Sequence, residues 1–161
     1  VANSIAELYK KHQALKPGEP VPGQIMFMPK GVDYIQKVKQ YLVNSGIPVD
    51  AIEIMDTKTK TSPAKDPAKK AKGLSRFTEI TQDFNDINGK CKIILGTDVI
   101  KEGVSLNKYT GIAYNTSIDW NPTTEVQKRG RHHRPGNKLK NVMWVDTLME
   151  DSIDSKLYQK Q

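Results

Sequence analysis

The chain has 161 residues, 37% of them hydrophobic and 27% charged, and a formal net charge of +7. That length suits one domain with a sizeable core, and no apolar run approaches the roughly 18–20 residues that a membrane span needs. A single cysteine, Cys91, excludes an internal disulfide framework and any CxxC metal site; its apolar neighbours, CKIIL, predict a buried, reduced thiol and a cytoplasmic protein.

The N-terminus, VANSIAELYKKH, has no basic start followed by an apolar stretch, so no signal peptide is expected. It also lacks an initiator Met, which predicts a piece of a longer protein. Ile5, Leu8, Tyr9, His12 and Leu15 recur at helical spacing and predict an amphipathic helix over 3–15. The breaker KPGEPVPG (16–23) follows, then a short buried strand, QIMFM (24–28). Val32, Ile35, Val38, Leu42 and Val43 mark a second helix that Asn44-Ser45-Gly46 stops, and AIEIM (51–55) is a second strand.

Residues 57–72, TKTKTSPAKDPAKKAK, carry six Lys against one Asp and few apolar residues, so a flexible, solvated loop is expected there. A basic arm touching nucleic acid is the functional alternative. Leu74, Phe77, Ile80, Phe84 and Ile87 predict a third long helix, ended by Asn88-Gly89. CKIILG (91–96) is a continuous apolar strand, as in a sheet covered on both faces. GIAYN (111–115) is a fourth strand, a polar helix over 122–134 opens on Pro122, NVMWVDTL (141–148) is a fifth strand, and 150–159 form a last helix. Strands alternating with helices predict an α/β domain with a parallel sheet built from right-handed crossovers. Ligands of such sheets meet the loops beyond the carboxyl ends of the strands. Polar residues cluster there: Pro29-Lys30, Gly96-Thr97-Asp98 and Ser117-Asp119.

The chain holds four arginines, and three of them, Arg129, Arg131 and Arg134, fall within six residues of EVQKRGRHHRPGN (125–137). On a helix Gln127, Arg131 and Arg134 stand at i, i+4 and i+7 and share a face. Gly130 lies on the same side and leaves room for close approach, while Arg129 points elsewhere. A guanidinium fork grips phosphate oxygens bidentately and keeps its charge, which a lysine does less well. The face therefore fits transfer of a phosphoryl group, where an arginine from outside the nucleotide pocket is worth about 10³–10⁵ in rate. Resting on nucleic acid, or pairing with acidic neighbours, are the plainer alternatives. His132 and His133 point about 100° apart on a helix and have no carboxylate or Cys at ligand spacing, so no metal site is predicted.

Gln127, Gly130, Arg131 and Arg134 form Q-x-x-G-R-x-x-R, which resembles motif VI of superfamily 2 helicases and translocases. GTDVIKEGVSL (96–106) resembles their motif V, and QIMFM their motif IV strand. DWNP (119–122), RPGN (134–137) and DSIDSKLY (151–158) resemble the approach to motif VI, its ending and the segment after the last strand in Swi/Snf-type ATPases. SRFTEITQDFND (75–86) is similar to the Arg…Phe-Asn helix that precedes motif V. Within motif V, TDV looks like the helicases with a DEAD box and EGVSL like restriction-enzyme and innate-immune relatives, so the subfamily stays open.

The resemblance implies a three-layer RecA-like C-terminal lobe, spanning 1–161, of an ATP-driven motor. Arg131 and Arg134 would be catalytic arginines offered across an inter-lobe cleft. Gln127, Gly130, Gly103, Glu102 and Asp98 would lie near the nucleotide. Thr97, Lys30 and Ser117 would hold nucleic-acid phosphates. ATP and Mg²⁺ would be held mainly by an N-terminal RecA-like lobe of the same polypeptide, because this chain has neither GxxxxGK[ST] nor an acidic Mg motif. The isolated chain is therefore expected to be inactive and to hold no cofactor. The nucleic acid would be DNA rather than RNA, and the compact size favours a bacterial or phage-type member. A stand-alone basic nucleic-acid-binding module, or an interaction domain docking an acidic partner, are the competing readings.

Overall fold

The computed structural model describes residues 1–29, 32–101, 105–117, 121–132, 135–139 and 141–147, without the side chains of Val32, Lys101, Lys128, Arg131 and His132. The helix expected over 150–159 lies outside these residues.

Among the described residues five strands form one sheet: β1 (Gly23–Phe27), β2 (Ile52–Met55), β3 (Ile93–Gly96), β4 (Thr110–Asn115) and β5 (Met143–Asp146), in the order β2-β3-β1-β4-β5. Every pairing is parallel. The helices are α1 (Ala2–Leu15), α2 (Ile35–Asn44), α3 (Thr57–Thr61), α4 (Pro67–Ala71), α5 (Arg76–Phe84) and α6 (Pro122–His132).

Alternation along the strands divides the core in two. Met26, Ile52, Ile93, Leu95 and Tyr114 pack with Ile5, Tyr9, Ile35 and Leu42 of α1 and α2. Ile25, Phe27, Met55, Ile94 and Ala113 face the other way, onto Ile80 and Phe84 of α5. Removing each such side chain from water contributes about 1.5–3 kcal/mol, so the two clusters hold three layers together. Gln24 is buried within the first cluster and satisfied: its amide donates to the Ile5 carbonyl at 3.1 Å, tying α1 to β1.

Crossover handedness explains which helix covers which face. From β1 to β2 the chain moves one way across the sheet, and α2 lies on the α1 face. From β2 to β3 and from β4 to β5 it moves the other way, and α5 and α6 lie on the opposite face. Right-handed connections in opposite directions must fall on opposite faces. The connection leaving β1 therefore runs over one face and those leaving its neighbours β3 and β4 over the other, and the crevice between these carboxyl ends is where ligands of such sheets sit.

Residues 57–72 differ from the expected loop. Asp56 caps α3, accepting the Thr59 amide at 2.9 Å, and Asp66 caps α4, accepting the Ala68 and Lys69 amides at 2.8 and 3.2 Å. Pro67 supplies the first residue of α4, where its missing N–H costs nothing. The second helix also starts later than expected, after a 3-10 turn at Val32–Tyr34, and β5 is shorter than the apolar run suggests.

Candidate functional site

The carboxyl ends of β3, β1 and β4 lie side by side. The Met28 amide donates to the Gly96 carbonyl at 2.7 Å, and the Thr116 amide and hydroxyl both donate to the Phe27 carbonyl, at 3.2 and 2.6 Å. Beyond β3 the chain turns into a 3-10 helix, Asp98–Lys101, closed by the Ile100 amide on the Thr97 carbonyl at 3.2 Å. A Cβ at position 96 would collide with the Ile100 side chain, so glycine lets this turn fold back onto the core without moving Ile100. Thr97 is buried, and its own amide is taken by the Met55 carbonyl at 3.1 Å, extending the β2–β3 ladder. Its hydroxyl, rather than its amide, is the group left to meet a ligand. Ser117 follows β4 at the same edge, half-buried.

α6 packs against the Asp98–Lys101 turn, which brings the segment after β3 and the segment after β4 together. A polar lock fixes its orientation. Asn115, fully buried at the end of β4, donates its amide to both Glu125 of α6 at 2.9 Å and Asp146 of β5 at 3.0 Å. Asp146 also accepts the Trp144 indole N–H at 2.8 Å and the Arg129 guanidinium at 2.7 Å. Arg129 in turn lies over the Trp144 ring, 5.7 Å from its centroid. One amide thus bridges two carboxylates that would otherwise repel.

Glu125 and Arg129 are one turn apart and mark the sheet-facing stripe of α6. Gln127 is about 200° from each by helical phase, and it is exposed, as is Gly130. A Cβ at Gly130 would meet nothing within 4 Å, so this glycine is not required by packing inside the chain. Position 131 follows on the same outward side.

The structure therefore brings Thr97, Asp98 and Ser117 to one edge and sets Gln127 and Gly130 on an outward helix face beside the Asp98 turn. Lys30, Glu102, Gly103, Arg134 and the side chain of Arg131 lie outside the described residues. Sequence reasoning missed Asn115, Glu125, Trp144 and Asp146. The only signal for Asn115 was a polar residue closing an apolar strand. Among the described residues no group of three or more His, Cys, Asp or Glu could hold a metal, and no helix is long and apolar enough to cross a membrane.

Compared with known proteins, residues 22–136 match the family described as Helicase conserved C-terminal domain. No curated protein matches the sequence. Among solved structures, the chain is similar to the one described as the crystal structure of the C-terminal part of Fun30 ATPase domain, with a TM-score of 0.63 and 17% identity over 98% of this chain. It spans 43% of that chain's length. That likeness shows the RecA-like α/β fold, and the match over most of the sequence shows that this chain belongs to the helicase conserved C-terminal domain family.

Proposed function

We propose that this chain is the second lobe of an ATP-dependent nucleic-acid helicase or translocase. In this reading Arg131 and Arg134 act on a nucleotide held mainly by an N-terminal lobe of the same polypeptide, and the strand-end edge grips the nucleic-acid backbone. The carrying observation is the orientation of α6. Its Glu125–Arg129 stripe is bound to the sheet, so the Gln127–Gly130 face looks away from the chain's own interior. A face that polar and that open fits a partner surface better than a core.

ATP, with Mg²⁺, would supply the phosphoryl group whose transfer drives the motor. The exposed Gln127–Gly130 face suits its approach from the far side of a cleft. Two guanidinium groups there would neutralise charge developing on the transferred oxygens, a preorganised electrostatic effect. Gln127 would orient them. Asp98, with Glu102 and Gly103, would couple the turn after β3 to α6. Thr97, Ser117 and Lys30 would hold backbone phosphates, DNA before RNA, and alternate closing and opening of the lobes would carry them along a strand.

In the full-length protein, Arg131→Ala or Arg134→Ala is expected to cut kcat by about 10²–10⁴ with little loss of nucleic-acid affinity. Nucleic-acid-stimulated hydrolysis and equilibrium binding, measured on the same preparations, check this. A proportional loss of binding at unchanged kcat would move both arginines to the nucleic-acid track.

A further inference from the structure

The segment between β2 and α5, residues 56–75, carries six Lys against two Asp, and the structure shows what becomes of its charges. Each of its neighbouring carboxylates is engaged by the backbone or by Arg76. Asp56 and Asp66 cap α3 and α4. Glu79, buried in α5, accepts the amides of Lys65 and Asp66, each at 2.9 Å, and pairs with Arg76, which also pairs with Glu53. The base of the excursion is closed by the Arg76 amide on the Ser62 carbonyl at 2.7 Å and the Ala64 amide on the Leu74 carbonyl at 3.0 Å.

The lysines receive none of this compensation. Lys58, Lys60, Lys65, Lys70 and Lys72 are exposed and Lys69 half-exposed, and among the described residues none of the six forms an ion pair. A groove of about 290 Å³ between α2 and α3 is lined by Lys39, Lys58 and Lys65, with Glu53 and Asp56, both engaged by Arg76 or the α3 cap, among its other residues. α3 starts one residue beyond β2, whose Met55 carbonyl holds the Thr97 amide, so this basic platform adjoins the strand-end edge. A hydrogen-bonded backbone, ammonium groups without ion pairs among the described residues and continuity with that edge favour a polyanion.

We propose that α3 and α4 form a second phosphate-contacting surface, which extends the nucleic-acid footprint sideways from the strand ends past β2. The inference rests on the reading that this edge meets nucleic acid. Its chemistry is counterion release: each phosphate neutralised on duplex DNA steepens the dependence of log Kobs on log salt by about 0.9.

The test measures binding of the chain to a short duplex across a salt series, with circular dichroism to verify folding. The variant Lys58→Gln/Lys60→Gln/Lys70→Gln/Lys72→Gln is expected to flatten the slope by about 2 or more. A control, Lys10→Gln/Lys11→Gln/Lys16→Gln/Lys90→Gln, removes as many charges elsewhere and is expected to change it little. Equal flattening by both sets overturns the proposal in favour of diffuse net charge. Poly-glutamate bound as tightly as DNA, with the same four-lysine dependence, overturns it in favour of an acidic polypeptide. Weaker binding by Thr97→Val/Ser117→Ala alone, with the lysine set silent, removes the platform and leaves the strand-end reading standing. No binding by the unaltered chain at low salt removes both.

Discussion

Arg76 and Arg129 stand at opposite ends of one face of the sheet, and each is paired with a carboxylate. Arg76 joins Glu53 of β2 to Glu79 of α5, and its side chain is 14% exposed. Arg129 joins α6 to Asp146 of β5 and is 45% exposed, with its plane over Trp144. The first is a closed node in which one guanidinium joins both carboxylates, and Glu79 also holds two backbone amides. The second is a surface clasp over an inner lock that Asn115 already makes. Two of the four arginines are thus committed to architecture, at two depths, and charge type alone does not mark an arginine as functional.

The widest separation between the two nodes is expected in stability. Arg76→Ala leaves Glu53 and Glu79 unpaired in a mostly dry site and should cost about 3–5 kcal/mol, read as a fall in the urea midpoint at constant m. Arg129→Ala loses a solvent-screened pair and some ring contact and should cost about 1 kcal/mol or less. Equal costs would break the comparison.

Acid should act on the first node next. Burial works against the charged form of Glu79, but the Lys65 amide, the Arg76 guanidinium and the Asp66 amide outweigh it and hold the carboxyl at about 2, down from 4.5. A depressed folded value means that the stabilisation is complete above about 4.5 and is lost as pH falls toward 2. The loss should reach roughly 3 kcal/mol, and Glu79→Gln should remove that part of the acid sensitivity. An unchanged pH profile in Glu79→Gln would show that the node does not set it.

A smaller effect is expected at the inner lock of α6. Asn115→Ala removes the amide that bridges Glu125 and Asp146 and should cost about 1–3 kcal/mol. If α6 orientation matters as proposed, the full-length protein should also lose the proposed kcat while retaining nucleic-acid affinity. A stability loss with unchanged kcat would confine Asn115 to architecture.

The strands were legible because Ile-rich runs bounded by Gly, Pro and Asn have few other ways to fold. α6 was legible from Pro122 and from the spacing of Gln127, Gly130 and Arg131. The 57–72 segment was misjudged because its lysine content outweighed two local signals, Asp56 three residues before Thr59 and Asp66 before Pro67. The locks that matter most could not be read at all. Glu79 reaches amides 13 and 14 residues earlier, and Asn115 meets a side chain 31 residues later. Such pairings exist only once the sheet has assembled.

The central position of β1 has a consequence for biosynthesis. Its Gln24 pairs with Ile93 on one side and Ile112 on the other. A ribosome adding about 5–20 residues per second therefore leaves the first-made strand waiting on the order of 5–20 seconds for its last partner. For about the first 3–14 seconds of it, until β3 is made, Ile25, Met26 and Phe27 have no neighbouring strand to join. The nascent chain would need shelter longest at the segment that ends up deepest inside.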